Sequence, residues 1–402
     1  MSRGTAGRAG RAAASARDRI LSLVRVNGEV SRGEISQAFS MDKKAVSVAV
    51  ERLLSEGILC VSGLQDSHAG RRREILAVNG AHASAVGIDL GATHVIGVLV
   101  DLAGTVLERA SCEVRPGLHV ALIRDQMRAM AERLRASPRA GRVQAVGVCV
   151  PGFVHPVEGT SLVAENIPGW KDVRIRQELE QSLSLPVIVD DSSRALAVGE
   201  RWLGAARGEK NFISLDLGFG IGMGIFCDGG LYRGSSWKSG EIGHTVVDPQ
   251  GMPCACGGRG CLETVASGRA IARQAADGIR AGRSGLLREL TTGNADAATS
   301  QDVGLAAGMG DPFSRELLAT AGRAVGLSLA AAAAILNPSL VVIGGGLLAA
   351  GAVFVDALRE SAECHLMPGM RADLRIVESL LGVDGSARGV ALMASERIFA
   401  PF

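Results

Sequence analysis

"AVGIDLGATHVIGVLVDLAGTVLERAS", residues 85–111, decides the fold. A β-branched run ends at Asp89, a glycine turn follows, a second apolar run returns, and a third begins after Gly104. The pattern predicts strand, turn, strand, turn, strand. Asp89-Leu90-Gly91-Ala92-Thr93 puts an acid at a strand end with a glycine two residues on. Glycine there lets backbone N–H groups approach a phosphate closely. One D-x-G-x-T is a weak signal, but the layout recurs. Residues 211–234, "NFISLDLGFGIGMGIFCDGGLYRG", repeat it, with Asp216 at the strand end and Gly218 and Gly220 in the turn. Residues 335–347, "ILNPSLVVIGGGL", read as a helix end, a buried strand and a turn at Gly344, Gly345 and Gly346. Two Asp–Gly hairpins and a distal glycine turn describe an α/β chain with the two-lobed actin-like (ribonuclease H-like) ATPase fold. Nucleotide would lie in its cleft, at Asp89, Gly91, Thr93, Gly218, Gly220, Gly344 and Gly345.

Composition agrees. The 402 residues are 47% hydrophobic but only 3% aromatic, with 53 glycines. That suits an α/β protein with many tight turns and more than one domain. Apolar runs are broken by glycine or polar residues before bilayer-spanning length, so no transmembrane helix is expected. The N-terminus is basic and rich in small residues, but no apolar signal-peptide core follows it. These features point to the cytoplasm.

Charge is unevenly placed. Residues 1–80 hold 13 of the 43 Lys and Arg but only 8 of the 41 Asp and Glu. A small basic module on a mildly acidic body is the pattern of a tethered nucleic-acid reader. Residues 1–16 lack periodicity and read as a disordered basic tail. From Arg17 the pattern is helical, with Ile20, Leu21 and Val24 on one face. "SRGE", 31–34, is a capping box of Ser31 and Glu34 that opens a helix running to about Phe39. Asp42 caps a third helix, "KKAVSVAVERLLSEG", with Val46, Val50, Leu53 and Leu54 as its apolar stripe. Gly57 stops it. Two strands follow, so residues 17–80 read as a winged helix-turn-helix. Lys43, Lys44 and Ser47 would face the major groove, and Arg71, Arg72 and Arg73 would tip the wing. The implied partner is double-stranded DNA.

Eight cysteines are present. Cys60, Cys112, Cys149, Cys227 and Cys364 are scattered, while Cys254, Cys256 and Cys261 cluster ten residues after His244. In a cytosolic chain such a cluster argues for metal. The spacing H-x9-C-x-C-x4-C offers one imidazole and three thiolates, the donor set of a closed, structural, tetrahedral zinc site.

Taken together, "GIDLGAT" (87–93), "GVCVPGFV" (147–154), "ENIPGW" (165–170), "GEIGH" (240–244), "CACGGRGCLE" (254–263) and "VVIGGG" (341–346) resemble the ROK family of repressors and sugar kinases over about residues 17–400. The resemblance implies two lobes, 84–200 with 385–402 and 201–384, the second carrying the zinc loop. It implies sugar contacts at Gly152, Asn166, Asp191, Glu241, His244 and Glu263. It also implies a homodimer or homotetramer. His244 would use one ring nitrogen for zinc and the other for a sugar hydroxyl.

One stretch departs from the kinases. In "VIVDDSSRALAVGE", 187–200, Asp191 falls where family kinases carry a sugar-binding Asn, and Ser192 where they carry the catalytic Asp. A serine hydroxyl is far too weak a base to replace a carboxylate near neutral pH. Asp191 is adjacent, but neighbours on a strand face opposite ways. Ala92 and Phe219 replace a glycine and a threonine of the two phosphate turns. Phosphoryl transfer depends on positioning and charge stabilisation, so these losses fall on one centre. The expectation is a sugar-responsive DNA-binding repressor with a degenerate kinase site and no catalytic residue. The alternative is an ATP-dependent sugar kinase with a DNA-binding arm and Asp191 as base.

Overall fold

Ser15 starts the first helix. Its side chain accepts from Asp18 N, and Asp18 answers at the Ser15 backbone. This capping box places Ser15 and Ala16, expected in the tail, at the start of α1 (Ala16–Asn27). The computed structural model describes residues 15–66, 72–115, 117–164 and 166–399; the expected tail at 1–14 lies outside them.

Ile20, Leu21 and Val24 of α1 are buried, as their spacing requires. They pack with Ile35 of α2 (Arg32–Phe39) and with Val46, Val50 and Leu53 of α3 (Lys43–Ser55). Each such side chain, fully buried, contributes roughly 1.5–3 kcal/mol. Leu54 is only half-buried at the edge of this cluster. Ser31 and Asp42 cap α2 and α3, and Gly57 follows α3 at φ 73°. Strands Leu59–Gln65 and Arg73–Val78 pair antiparallel. A third strand, Glu29–Ser31, adds to the second on its other side. Three residues between two helices carry too little periodicity to announce it.

Two five-stranded sheets follow, with one topology. In the first, Ser84–Leu90, His94–Asp101 and Val106–Glu113 form an antiparallel meander, and Val143–Val150 and Val187–Asp191 add in parallel on the other edge. In the second, Phe212–Leu217, Ile221–Cys227 and Gly230–Leu231 form the meander, and Leu340–Gly344 and Arg375–Glu378 add in parallel. Asp89 and Asp216 hold equivalent places, opposite Cys149 and Gly344 on their parallel neighbours. The duplication read from the two Asp–Gly hairpins therefore extends to whole sheets.

α4 (Val120–Arg135) covers the first sheet, and α5 (Ile175–Leu183) leads into its last strand. An antiparallel insert of Phe153–His155, Thr160–Val163 and Lys171–Val173 lies between. α6 (Ser192–Trp202) and the C-terminal helix Gly385–Phe399 pack together in the centre of the molecule. Glycines make the room. A Cβ on Gly147 would stand 2.2 Å from Val390 O, and one on Gly224 only 2.4 Å from Ala197 Cβ. Pro312–Leu336 is long and apolar enough by composition to cross a membrane, contrary to the reading of broken apolar runs. Its Gly322 and Gly326 seat it against the helix Ala352–His365, and half of its most apolar window is buried.

Candidate functional site

A cleft of about 680 Å³ opens between the two sheets. Strand ends, glycine turns and the first residues of α6 and of the C-terminal helix line it. Among the candidates it brings together are Asp89, Gly91, Thr93, Gly152, Asn166, Asp191, Gly218, Gly220, Glu241, His244, Glu263 and Gly345. Gly344 is fully buried one residue behind.

At the centre, Ser192 Oγ donates to Asp89 Oδ1 at 2.9 Å, and Cys149 Sγ donates to the same oxygen at 3.2 Å. Burial raises the pKa of Asp89 against these two bonds. Burial, with Asp89 and Asp191 adding repulsion, pushes Asp216 up to about 7. Burial also raises Asp191, opposed by Arg194. Asp191 Oδ1 accepts from Arg194 N at 3.0 Å, so this carboxylate is also the N-cap of α6. Asp190 turns the other way, as strand alternation requires. It is 1% exposed and takes Arg194 Nε at 2.7 Å and Arg233 Nη2 at 2.9 Å.

On the side of the cleft where a nucleotide is expected, Phe219 is 40% exposed, with the Arg269 guanidinium 5.9 Å from its ring centroid. An aromatic ring thus occupies the second glycine turn. Gly345 holds φ 96°, and a Cβ there would lie 2.3 Å from Leu217 O, so only glycine fits this turn.

The half of the cleft where a sugar is expected presents hydrogen-bonding atoms. Asn166 Oδ1 is buried without a hydrogen-bond partner among the described residues. A buried acceptor of that kind calls for a donor from a ligand or water. Glu263 Oε2 accepts from Ile221 N at 3.2 Å, and its Oε1 lies 3.6 Å from Arg269 Nη2. Gly152 sits at φ 80°, where a Cβ would meet Val163 O at 2.2 Å.

His244 joins this half to the cysteines. Its Nδ1 lies 3.6 Å from Cys254 Sγ, and its Nε2 lies 3.9 Å from Glu241 Oε2. Cys256 and Cys261 sulfurs are 3.7 Å apart, and the ligand atoms of His244, Cys254, Cys256 and Cys261 all lie within 4.8 Å of one another. A tetrahedron with Zn–S bonds of about 2.3 Å has edges of about 3.8 Å. Burial and the neighbouring sulfurs push the Cys261 thiol up to about 12. A dication is what would let three thiolates share this space. The residues fit zinc.

The DNA-facing candidates lie far along the chain from the cleft residues. Lys43 and Lys44 start α3 and are exposed, while Ser47 is half-buried. Arg72 is exposed with its Nε 3.2 Å from Asp66. Arg73 is the first residue of its strand, opposite Gln65, and so closes the ladder at the end next to the connection, the tip end of the wing. Strand pairing begins one residue earlier than the arginine run suggested. Arg71 lies outside the described residues.

Two arrangements escaped the sequence reading. Asp190 and Arg194, four apart, carried a detectable signal, but Arg233 and the Trp237 carbonyl, 3.1 Å from Arg194 Nη1, are distant in sequence. The contact of Arg25 with Trp202, 4.3 Å from guanidinium to ring centroid, left none.

The sequence profile of the ROK family matches residues 85–397. A xylose repressor of Caldicellulosiruptor bescii is 31% identical over 387 residues, which cover 95% of this chain and 96% of the repressor. The crystal structure of a ROK family transcriptional regulator, a homolog of the E. coli MLC protein, aligns with a TM-score of 0.78 at 25% identity, covering 96% of each chain. That of a ROK family glucokinase from Streptomyces griseus, in complex with glucose and AMPPNP, aligns with a TM-score of 0.71 at 31% identity, covering 78% of this chain and 100% of the kinase. Similar proteins thus include both repressors and glucokinases. The two matching sheets are the two lobes of the shared actin-like fold.

Proposed function

Since the chain belongs to the ROK family, we propose that it is a sugar-responsive transcriptional repressor whose kinase centre has lost its base. The observation that carries this reading is the bond from Ser192 Oγ to Asp89. The hydroxyl at the base position is a donor held by a carboxylate, while Asn166 Oδ1 remains a buried acceptor for a ligand hydroxyl. The centre is thus better suited to holding a polyol than to deprotonating one.

Residues 17–80 are the reader, residues 84–200 with 385–402 form one lobe, and 201–384 form the other. Asn166, Asp191, Glu241, His244 and Glu263 orient sugar hydroxyls, and Gly152 leaves room for the ring. His244, Cys254, Cys256 and Cys261 would hold zinc, which fixes the loop that presents Glu241 and Glu263. Lys43, Lys44, Ser47 and the wing arginines meet DNA. Two copies would read a pseudo-palindromic site, as a dimer or within a tetramer. Such a regulator works in the cytoplasm.

The test is selection of genomic fragments by the purified protein in moderate salt, with sequencing of those retained. A small set sharing an inverted repeat, released by a free pentose or hexose, is expected. Enrichment no better than random DNA removes the reading. A kinase with a DNA-binding arm is the second reading, favoured by the similarity to the glucokinase. It requires ATP turnover on a hexose panel that Asp191→Asn abolishes.

A further inference from the structure

We infer that α6 and the C-terminal helix act as one rigid link between the cleft and the DNA-reading unit, and that Arg25 of α1 is the residue through which the link is felt. The inference rests on the sugar-responsive reading above and adds the route of the response.

Both helices begin in the cleft. Asp191 caps α6, and Ser192 and Ser193 line the cleft; Gly385 and Ser386 open the C-terminal helix and line it too. Both end at Arg25. Trp202 is the last residue of α6, and its ring lies 4.3 Å from the Arg25 guanidinium. Glu396 of the C-terminal helix stands 3.9 Å from Arg25 Nη1. Eleven residues of α6 span about 16 Å, so a displacement at Asp191 reaches Trp202 along one uninterrupted helix.

The pair moves as a unit because nothing separates its backbones. A Cβ on Gly389 would sit 1.7 Å from Ala195 O, and one on Gly199 would sit 3.1 Å from Gly385 O. Backbones packed this closely transmit displacement without taking it up in side-chain rearrangement.

The DNA-reading unit has a second attachment that fixes the nature of the movement. Leu102, in the turn between strands His94–Asp101 and Val106–Glu113, is 1% exposed and belongs to the apolar core of Ile20, Val24, Val46 and Leu76. Its N–H donates to Gly80 O at 3.4 Å. Leu102 is thus a pivot. Arg25, with Arg207 Nε donating to Val26 O at 3.0 Å beside it, is the second point of support. Between the two lies a crevice of about 230 Å³ bordered by Val24, Val78, Leu102, Trp202, Leu203 and Leu392. A seam with free space can rotate about Leu102 when Trp202 shifts, and a rotation of the reader changes how α3 meets DNA.

The experiment measures the dissociation constant for one retained genomic fragment, with and without saturating sugar from a panel of free pentoses and hexoses that includes D-xylose and D-glucose. Full-length wild type, Trp202→Ala and Arg25→Lys are compared. Sugar should weaken wild-type DNA binding by about tenfold or more, and both variants should retain less than about threefold of that response. Their sugar affinity, measured by calorimetry, should stay within about twofold of wild type, a readout that general damage would move. Arg25→Lys keeps the charge and loses the planar stack, so it answers the question if Trp202→Ala does not fold. Variants that respond as fully as wild type would overturn the link and leave the sugar-responsive reading intact. A wild type whose DNA affinity no sugar alters would overturn that reading, and the link with it.

Discussion

Ser192 and Asp89 share a hydrogen bond of 2.9 Å, with the serine as donor. The same Asp89 oxygen also takes the Cys149 thiol. Placing a carboxylate at position 192 would therefore set it against Asp89, with Asp216 and Asp191 close by. Like charges in a poorly solvated site raise one another's pKa and cost stability. Ser192→Asp should lower Tm by about 1 °C per kcal/mol lost in a chain of this length. It should show no ATP turnover on hexoses above the no-enzyme rate. Thermal unfolding and a coupled ADP assay check both halves.

Asp216 carries a pH signature. Its pKa is raised from 3.8 to about 7, so the folded state holds a proton that the unfolded chain releases. The associated stability is fully present below about pH 4 and is lost as pH rises through 7. Asp216→Asn, neutral throughout, should remove this loss. The Tm of the variant minus that of wild type should become more positive from pH 5 to pH 8. A difference that stays flat across that range would place the titration elsewhere.

The two Asp–Gly hairpins were legible because each is local: an apolar run, an acid and a glycine within a few residues. The caps at Ser31 and Asp42 were legible for the same reason. The cysteine loop was legible because all its candidate ligands fall between residues 244 and 261. What stayed hidden depends on partners far apart in sequence. Strand Glu29–Ser31 exists only because Ile75, Leu76 and Ala77 return beside it. Arg25 has no burial signal in its own stretch of sequence, yet its side chain is 9% exposed against Trp202. The long helix Pro312–Leu336 was obscured because its glycines, read as interruptions, are the positions that let another helix approach.

Loss of one ligand should undo the cysteine loop. Cys254 is buried beside His244, so Cys254→Ser removes a thiolate without changing the loop's length. The variant should lose most of the one zinc per chain expected by metal analysis. Because His244 and Glu263 sit at the two ends of this loop and both line the cleft, sugar affinity should fall by about 10–100-fold. Unchanged zinc content would remove Cys254 from the ligand set.

DNA binding should show its charge in the salt dependence. Lys43 and Lys44 are exposed at the start of α3, and Arg72 is exposed on the wing. Each alanine substitution that removes a phosphate contact should reduce the slope of log K against log salt by about 1. A contact to a base edge should cost about 1–3 kcal/mol on the preferred site and much less on random DNA. Titrations at several salt concentrations on both DNAs separate the two roles.

The charge of the cleft restricts what enters it. Asp89, Asp191, Asp216, Glu241, Glu263 and Asp296 line it, and Arg269 is the only Lys or Arg among the described lining residues. Arg269 is already directed at Glu263, 3.6 Å away. A phosphate on the ligand would meet carboxylates, Glu241 and Glu263 among them, with no free cation among the described lining residues to balance it. Two unit charges 4 Å apart repel by about 1 kcal/mol in water and about 4 kcal/mol at an effective dielectric constant of 20. Each 1.4 kcal/mol is about tenfold in affinity. Glucose 6-phosphate and xylose 5-phosphate should therefore bind at least about tenfold more weakly than the free sugars. Raising the salt should narrow the gap only modestly, because charges inside a cleft are less screened than those on a surface. Calorimetry on each free sugar and its phosphate, at two ionic strengths, decides the point. A phosphate that binds as well as its parent sugar would mean that these carboxylates are neutralised within the cleft.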